Sequence, residues 1–424
     1  MRFAGKLVGQ PAVATPQTSD HVPSPPPVAQ KGAWLGLGRI ADQGAIGLVG
    51  LVLAARVSVE GFAALAILLV GYSVSATLGD LGLGHEMLRL GAADRARRSM
   101  LDWVRSIAVV SFVIGSVLII VGMELIGWIA VLWALNSETA LRQSSAMLGD
   151  LHRRIGVAQV VAGLALMITV ALLPAGVTTL GIGLTVRAAI ELVALPSPQT
   201  WFSRSPTMKL SPLPVLGSHA TAYGTRNVDF FVAGPILGAV AFGLYVFAFR
   251  LANAAFAPIG ALTTRLGIAE LAQEATELER RYHRALMLLL AAGAVMAIGT
   301  AGASQLLPIV VGQQWEPAVA IIVVLAVALP WRFIDGLIGP LLYVSDNHAM
   351  AFRVEIGRLL VTFAAVVVAA PFGPLTLGFA NTVATIVTVW AGHRIASART
   401  TVALPVRFDV AAGLSIVILS LIHI

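Results

Sequence analysis

Apolar runs of about 18 to 22 residues recur along nearly the whole chain, and each is long enough to cross a hydrocarbon layer of roughly 30 Å. The composition agrees with this pattern, because 58% of the 424 residues are hydrophobic and 12% are charged. Soluble globular domains carry about 25% charged residues. The sequence therefore predicts an all-α polytopic membrane protein.

Twelve membrane-spanning helices are predicted from these runs, and a thirteenth starts near residue 408. Six of them lie in each half of the chain. The predicted spans are 34–54, 62–79, 105–122, 125–147, 156–173, 177–196, 213–233, 237–262, 284–302, 317–341, 355–371 and 375–392.

Lys and Arg are distributed asymmetrically over the connecting segments, and such residues mark cytoplasmic segments. If the N-terminus is cytoplasmic, inner segments hold 22 of the 28 basic residues, with Arg39 counted in the tail, and the outer loops hold Arg56 alone. The expected location is the bacterial inner membrane, with a cytoplasmic N-terminus. The net charge of +7 is thereby explained by topology, and no nucleic-acid partner is expected.

Several classes of site are not supported by the sequence. The chain has no cysteine, and its eight histidines are scattered, so neither a Cys-ligated site nor a histidine metal site is indicated. We find no nucleophile–base constellation or nucleotide-binding loop. The protein is thus predicted not to be an enzyme and to need no cofactor, with a gradient of H⁺ or Na⁺ as the expected energy source.

Three motifs recur in the same order in both halves. TLGIGLTV at 179–186 matches TLGFANTV at 376–383, GDLHRR at 149–154 matches SDNHAM at 345–350, and GFAALAILL at 61–69 matches AFGLYVFAF at 241–249. Because both six-helix units start on the inner side, the repeat is parallel, with a pseudo-twofold axis along the membrane normal. Two lobes around a central cavity are expected, with substrate near the midplane.

The repeat divides the chain into segments. The last six residues, LSLIHI, match the translation of a transposon end used in sequencing-library construction, so they are expected to be an artefact that follows a truncated thirteenth helix. The predicted segments are a disordered cytoplasmic tail (1–33), the N-lobe (34–196), a cytoplasmic linker (197–212), the C-lobe (213–395), the start of a further helix (396–418) and the adapter-derived end (419–424).

Three stretches resemble polysaccharide biosynthesis flippases, the lipid-linked oligosaccharide transporters of the multidrug/oligosaccharidyl-lipid/polysaccharide exporter superfamily. They are GLVLAARVSVEGFAALAILLVGYSVSATLGDLGLGHEMLR at 50–89, NVDFFVAGPILGAVAFGLYVFAFRLANAAFAPIGALTTRL at 227–266 and VVGQQWEPAVAIIVVLA at 310–326. The resemblance implies twelve to fourteen helices in two lobes around a cavity that opens alternately to either side. It also implies an undecaprenyl-pyrophosphate-linked glycan as cargo, with membrane lipids, a polysaccharide polymerase and export machinery as partners.

Ionisable residues inside predicted spans are the candidate functional residues, because a charge in the bilayer is costly and commonly functional. Four arginines have an acidic residue on the same helix face, three or four positions away. These couples are Glu138–Arg142, Arg187–Glu191, Arg226–Asp229 and Arg332–Asp335. A further couple, Arg39–Asp42, lies near the inner end of the first helix. Each couple is either a self-neutralised anchor or part of a substrate cavity.

Arg250 has no acidic neighbour at helical spacing, so it needs an anion from another helix or from substrate. Guanidinium groups suit phosphate. We therefore predict a pyrophosphate-binding set comprising Arg250, Arg142, Arg187, Arg226 and Arg332. The carboxylates predicted to carry a coupling ion are Asp229, Glu138, Glu191 and Asp335.

The predicted function is flipping of a lipid-linked oligosaccharide for exopolysaccharide, capsule or O-antigen assembly. A multidrug exporter of the same superfamily is one alternative, although organic cations favour an acidic cavity. A membrane-embedded polymerase or ligase is disfavoured, because these enzymes commonly have a large outer loop and the predicted topology has none. A non-transporting component of a polysaccharide assembly complex is the remaining alternative.

Overall fold

The computed structural model describes residues 28–79, 98–197, 213–254, 256, 278–345, 347–400, 402–403, 408–409, 411–412 and 415. The side chains of some of these residues, Arg226 among them, are not described. Several predicted segments lie partly or wholly outside the described residues. They are the tail up to residue 27, the linker from 198 to 212, the inner end of the eighth span and the segment 419–424.

The first half of the chain forms six helices, one for each predicted span. They are α1 (Val28–Ala54), α2 (Val59–Leu78), α3 (Arg98–Ile120), α4 (Glu124–Leu148), α5 (His152–Leu172) and α6 (Val177–Ala194). Short turns join α1 to α2 and α3 to α4. In the first turn, Ser58 caps α2 by accepting a hydrogen bond from the Gly61 amide at 3.1 Å. In the second, Gly122 adopts φ 89°, which a residue with a side chain rarely adopts.

Between residues 213 and 400, the described residues form eight α-helices, some of them short. They are α7 (Leu213–Ala254), α8 (Leu278–Ser304), α9 (Leu307–Val310), α10 (Glu316–Ala326), α11 (Leu329–Asp335), α12 (Ile338–Val344), α13 (His348–Ala369) and α14 (Pro374–Arg399). The predicted tenth span is broken, because the chain bends by 49° between Gln313–Ala326 and Leu329–Asp335. Pro330 near the start of α11 lacks the amide that would continue the helix.

Helix α7 is a hairpin rather than one straight rod. Gly238 has φ 74° and ψ 166°, which interrupts the helix. Residues on either side of it touch, since the ring centroids of Phe230 and Phe249 are 4.8 Å apart. In a continuous helix, these two residues would be separated by about 28 Å at 1.5 Å per residue. We call residues 213–237 the first arm and residues 239–254 the second arm; they correspond to the predicted seventh and eighth spans.

Eight helices among the described residues are long and apolar enough to cross a membrane, and the bent pair makes nine. The twelve predicted crossings include three more. Two of these three are α3, whose apolar part Val104–Ile120 is shorter, and α4, which carries Glu138 and Arg142 within its length. One of the eight, Asn227–Ala254, contains the end of the first arm of α7 and the whole second arm, although the two arms were predicted as separate spans. The prediction of an all-α polytopic fold is confirmed.

The two halves repeat the same helix pairings. In the first half, α1 packs on α5, α2 on α4, α3 on α4, α4 on α6, and α5 on α6. In the second half, α7 packs on α13 and α10, α8 on α10, α10 on α14, and α13 on α14. The lobes meet where α1 and α2 contact α7. A large apolar core that includes Leu53, Phe62, Phe247 and Trp315 spans this junction.

Two helices extend beyond the limits predicted for their segments. Helix α1 begins at Val28, within the predicted tail, and its apolar part, Ala33–Ala54, matches the predicted first span. Prolines occupy positions 25 to 27, and the helix starts directly after them because proline disrupts a helix interior. Helix α14 continues to Arg399, whereas the C-lobe was predicted to end at 395. Helical residues at 408–409, 411–412 and 415 fall in the predicted further helix.

Candidate functional site: the cavity between the lobes

A cavity of about 130 Å³ lies between the two lobes. Helices α1 and α2 line one side of it, and the two arms of α7 line the other. Its polar residues are Gln43, Ser73, Asn227, Arg250 and Asn253, and the remainder of the described lining is apolar or glycine. Among these described lining residues, the single formal charge is that of an arginine.

An aromatic cluster closes the cavity at the end where α1 turns into α2, which is the predicted outer side. Phe62 of α2, Phe247 of the second arm and Trp315 have ring centroids 4.3 to 5.5 Å apart. The Trp315 indole donates to the carbonyl of Ala54 at 3.0 Å, and Gln314 donates to the carbonyl of Val57 at 3.2 Å. These contacts join one lobe to the other, and we call them the outer seal.

Close backbone approach is part of the same seal. A Cβ added to Gly243 in the second arm would lie 2.5 Å from the carbonyl oxygen of Val59 and 3.5 Å from the amide nitrogen of Ala63. Glycine is therefore the residue that lets the second arm touch the start of α2. The two lobes are in backbone contact at the predicted outer end.

Arg250 extends from the second arm into the cavity wall. Its Nε is shielded from solvent and has no hydrogen-bond partner, and no described residue forms an ion pair with it. An unpaired guanidinium in a water-poor site is costly, and guanidinium donors match the geometry of phosphate oxygens. The residue predicted from sequence to need an external anion thus lies in the cavity between the lobes.

A buried polar cluster in the C-lobe is centred on Asp229 of the first arm. The carboxylate accepts hydrogen bonds from the Tyr245 hydroxyl at 2.5 Å, from the Asn381 amide at 2.9 Å and from the Phe230 backbone amide at 3.1 Å. Asp229 is fully buried. The predicted partner Arg226 has no described side chain, so that couple lies outside the described contacts. Tyr245 and Asn381 were not predicted as site residues. Tyr245 lies in the family-like stretch 227–266, and Asn381 lies in the repeated TLG motif at 376–383.

Arg332 connects the Asp229 cluster to the cavity. Its guanidinium donates to the side-chain oxygens of Asn253 and, at 3.1 Å, Asn381, and it lies over the Phe249 ring at 5.0 Å. Asn253 lines the cavity. Asn381 bridges the two charges, since its oxygen accepts from Arg332 and its nitrogen donates to Asp229. A chain of polar contacts therefore runs from the cavity wall to the buried carboxylate.

Asp335, the predicted partner of Arg332, forms an ion pair at 2.6 Å with Arg358 of α13, which also binds Glu355 at 2.9 Å. The prediction considered neighbours on the same helix alone, and this tertiary partner comes from another element. Asp335 is outside the described lining of the cavity. Arg358 was among the 22 basic residues that the sequence assigned to inner segments. The structure instead buries it within the C-lobe.

In the N-lobe, Arg187 is the centre of a buried ion-pair cluster. Its Nη2 lies 2.6 Å from Asp42 Oδ1 and 3.0 Å from Glu191 Oε1, and its Nε donates to Asp42 at 2.7 Å. Gln143 donates to the other Glu191 oxygen at 2.5 Å. Arg187 also lies over the Tyr72 ring at 5.3 Å. The predicted Arg187–Glu191 couple is present, but Asp42, predicted to couple with Arg39, binds Arg187 across helices.

The remaining couple, Glu138–Arg142, joins helices at the predicted cytoplasmic end of the N-lobe. Glu138 binds both Arg142 and Arg105, each through Nε at 3.0 Å. Arg142 also donates to the carbonyls of Leu192 and Leu195 at the end of α6. This arrangement fixes α3, α4 and α6 together. Neither Glu138 nor Arg142 is in the described lining of the cavity.

A family model described as polysaccharide biosynthesis protein matches residues 52–320, more than half of the chain. The chain belongs to that family. No curated protein sequence matches it.

Solved structures show which fold this family member has. A lipid II flippase MurJ in an inward closed conformation has a TM-score of 0.63 at 14% identity, over 93% of this chain and 92% of that one. An inward-facing multidrug resistance transporter of the MATE family and MOP superfamily has 0.57 at 15%, over 87% and 96%. A MOP superfamily transporter from Pyrococcus furiosus, whose binding pocket is described as having reverse polarity, has 0.56 at 15%, over 87% and 96%. The family member is thus a multi-pass membrane protein with a two-lobed transporter fold.

The two lobes of this family member place polar clusters on equivalent helices. In the N-lobe, Asp42 lies on the first helix of its half and Arg187 on the sixth. In the C-lobe, Asp229 lies on the first and Asn381 on the sixth. The pairings differ in charge, because Asp42 is held by a guanidinium and Asp229 by neutral donors. The two lobes therefore place an aspartate on equivalent helices. Of the two, Asp229 in the C-lobe accepts its described hydrogen bonds from uncharged groups.

Proposed function

We propose that the protein is a flippase that moves a lipid-linked oligosaccharide from the cytoplasmic to the outer leaflet of the bacterial inner membrane. The cargo carries a pyrophosphate, as undecaprenyl-pyrophosphate-linked glycans do. Family membership supports a role in polysaccharide biosynthesis, and the two-lobed fold supports transport by alternating access. The observation that carries the proposal is the position of Arg250 in the cavity between the lobes, where it forms no ion pair with any residue that the structure describes.

The size of the cavity supports a transport cycle with large movements. A volume of about 130 Å³ is well below the roughly 300–1,000 Å³ of typical ligand pockets. A glycan needs far more space, so the lobes have to separate for the cargo to enter and leave. The outer seal is the region that opens in the outward-facing state, and the MurJ conformation that resembles this structure is named inward closed.

The charge in the cavity favours transport of a lipid-linked oligosaccharide over drug export. Organic cations are bound by acidic or aromatic sites, and no acidic residue occurs in the described lining, where Arg250 is the charged group. A diphosphate, in contrast, offers several oxygens to the Arg250 donors. Asn227, whose amide nitrogen donates to the Tyr223 carbonyl at 3.0 Å, presents a side-chain oxygen that can accept a hydrogen bond from a sugar hydroxyl.

The Arg250→Ala variant tests the proposal directly. In cells that depend on this gene, we expect export of the glycan to be abolished while the amount of protein in the membrane is unchanged. Arg250→Lys retains part of the export, because an ammonium replaces the charge but not the planar donor geometry. Arg353→Ala, at an exposed arginine of α13, is the matched control and leaves export intact. Normal export by Arg250→Ala would contradict the assigned role.

Asp229 is the carboxylate we propose as the carrier of the coupling H⁺ or Na⁺. It is buried, and the described donors that reach it are neutral, whereas Glu138 and Glu191 are held in ion pairs with arginine. In proteoliposomes containing this chain alone, Asp229→Asn is expected to transport down a substrate gradient without responding to an imposed ion gradient. An unchanged response would remove Asp229 from the coupling mechanism. Absence of transport by the wild-type chain alone would favour a non-transporting assembly component.

A further inference from the structure

A second groove lies on the outer wall of the N-lobe, away from the central cavity. It has a volume of about 560 Å³ and is formed by the start of α5 and the end of α6. Arg153 and Arg154 stand at its mouth, and Val157, Val161 and Ile190 form its apolar wall. The groove shares no described lining residue with the central cavity. It lies at the end of the helices that is predicted to be cytoplasmic.

Both arginines at the mouth are exposed, and their hydrogen-bonding capacity is free within the part of the chain that the structure describes. Arg153 lies over the Trp34 ring at 5.5 Å, and no described residue forms an ion pair or hydrogen bond with Arg153 or Arg154. Arg56 at the opposite end of α5 differs, because it donates to the carbonyls of Val170 and Leu173 at 2.6 and 2.8 Å. Arg153 and Arg154 therefore have N–H donors available to bind an anion.

The wall of the groove continues along α5 as a stripe of exposed apolar side chains. Residues spaced three or four apart on this stripe are 45 to 77% exposed, which is expected where a helix faces lipid chains. They are Val157, Val161, Leu164, Ile168 and Leu172. A molecule bound at Arg153 and Arg154 would thus have an apolar surface running from its charged end toward the membrane centre.

An acidic residue at the rim does not cancel this charge. Asp150, which has φ 61° in the turn before α5, lies with its carboxylate 3.2 Å from the His152 ring. The described lining of the groove therefore contains two guanidinium groups and one carboxylate, so its net charge is positive.

The internal repeat shows that this basic pair is not demanded by the fold. In the matching motif of the second half, SDNHAM, Ala349 and Met350 occupy the positions of Arg153 and Arg154. The C-lobe builds the same helix connection without either charge. The arginines are an addition specific to the N-lobe.

We propose that this groove is a binding site for an anionic phospholipid of the inner leaflet. The lipid phosphate binds the Arg153 and Arg154 guanidinium groups, and an acyl chain lies along the wall formed by Val157 and Val161. Basic pockets at the cytoplasmic membrane surface select anionic headgroups by charge, and guanidinium groups bind phosphate through paired hydrogen bonds. The site is independent of the transported substrate.

Native mass spectrometry of the purified full-length chain in neutral detergent tests the site. We expect phosphatidylglycerol to bind in preference to phosphatidylcholine. Arg153→Gln combined with Arg154→Gln weakens phosphatidylglycerol binding by about thirty-fold, taking roughly 1 kcal/mol for each basic residue near a membrane surface. The control that changes Arg353 and Arg399 to Gln, two exposed arginines on the same predicted side, leaves the binding within about twofold.

A second variant keeps the proposal testable if the double substitution fails to fold. Val157→Asp places an anion in the wall beside the intact arginines and is expected to weaken phosphatidylglycerol binding by a similar factor. Unchanged binding in either variant would overturn the proposal, and so would equal binding of the two phospholipids. Full competition by glycerol phosphate, which has the charge without the chains, would overturn the lipid assignment in favour of a simple phosphate site.

Discussion

Tyr245 donates a hydrogen bond at 2.5 Å to Asp229, which lies sixteen positions earlier in the same helical element. In a straight helix, these residues would be about 24 Å apart, so the contact depends on the break at Gly238. The hairpin brings a phenol to a carboxylate that has no described cationic partner within hydrogen-bonding distance. Tyr245 is thus the residue that links the fold of α7 to its buried acid.

Removing the Tyr245 hydroxyl is expected to destabilise the protein through Asp229. Hydrogen bonds to charged groups contribute about 1.5–3 kcal/mol, so Tyr245→Phe should lower the free energy of unfolding by about that amount. Tyr223→Phe is the matched control, because its hydroxyl contacts the Val70 carbonyl at 3.4 Å and contributes less. Denaturant unfolding in detergent measures both. An equal cost of Tyr245→Phe in wild type and in Asp229→Asn would show that the two residues are not energetically coupled.

Arg187→Met should be among the most destabilising substitutions in the N-lobe. It leaves Asp42 and Glu191 buried without their cation, and breaking a buried pair in this way costs about 3–5 kcal/mol. Adding Asp42→Asn and Glu191→Gln to the same chain is expected to restore most of the loss. Arg394→Met is a control, because the Arg394–Asp409 pair is exposed and exposed pairs contribute about 0–1 kcal/mol. Failure of the two amide substitutions to rescue Arg187→Met would argue against charge as the cause.

Gly243→Ala should open the outer seal, because its Cβ would meet the Val59 carbonyl at 2.5 Å. The chain has no native cysteine, so one cysteine at Asn253 reports on cavity access. We expect faster labelling of that cysteine by a membrane-impermeant maleimide added from outside. Gly299→Ala, where an added Cβ has no neighbour within 4 Å, should leave the labelling rate unchanged. Equal labelling rates in both variants would mean that the contact at Gly243 does not close the cavity.

The predicted orientation can be checked with the same reagent. Ala55 in the turn after α1 and Arg154 at the start of α5 are both exposed and lie at opposite ends of their lobe. Ala55→Cys is expected to react in intact spheroplasts, whereas Arg154→Cys reacts after the membrane is permeabilised. The reverse pattern would place the N-terminus outside and invert every assignment of sides made from the Lys and Arg distribution.

The fold was largely predictable because apolar runs, turn glycines and repeated motifs are local signals. Each described helix of the first half contains most of its predicted span, and the hairpin of α7 falls between the predicted seventh and eighth spans. The bend at Pro330 could not be located from hydropathy, since the apolar run is continuous from α10 into α11. Helix α1 starts before its predicted span, because a helix can extend beyond the membrane into polar sequence, while its apolar part, Ala33–Ala54, agrees with the prediction.

The ion-pair partners were less predictable, because helical spacing finds neighbours on one helix and no others. Arg187–Glu191 and Glu138–Arg142 were found in this way, and both are present. Asp42 and Arg187 are 145 positions apart, so no local pattern joins them. Asn381 is 152 positions from Asp229, so helical spacing could not predict this contact either, although Asn381 lies within the repeated TLG motif.

The second arm of α7 carries three contacts within six positions. Tyr245 holds Asp229, Phe247 packs into the outer seal, and Arg250 lies in the cavity wall. A rigid rotation of this arm alters all three environments together. Under the roles proposed above, an anion that favours one orientation of the arm through Arg250 would change the ion affinity at Asp229, and the ion would change the affinity for the anion by the same factor.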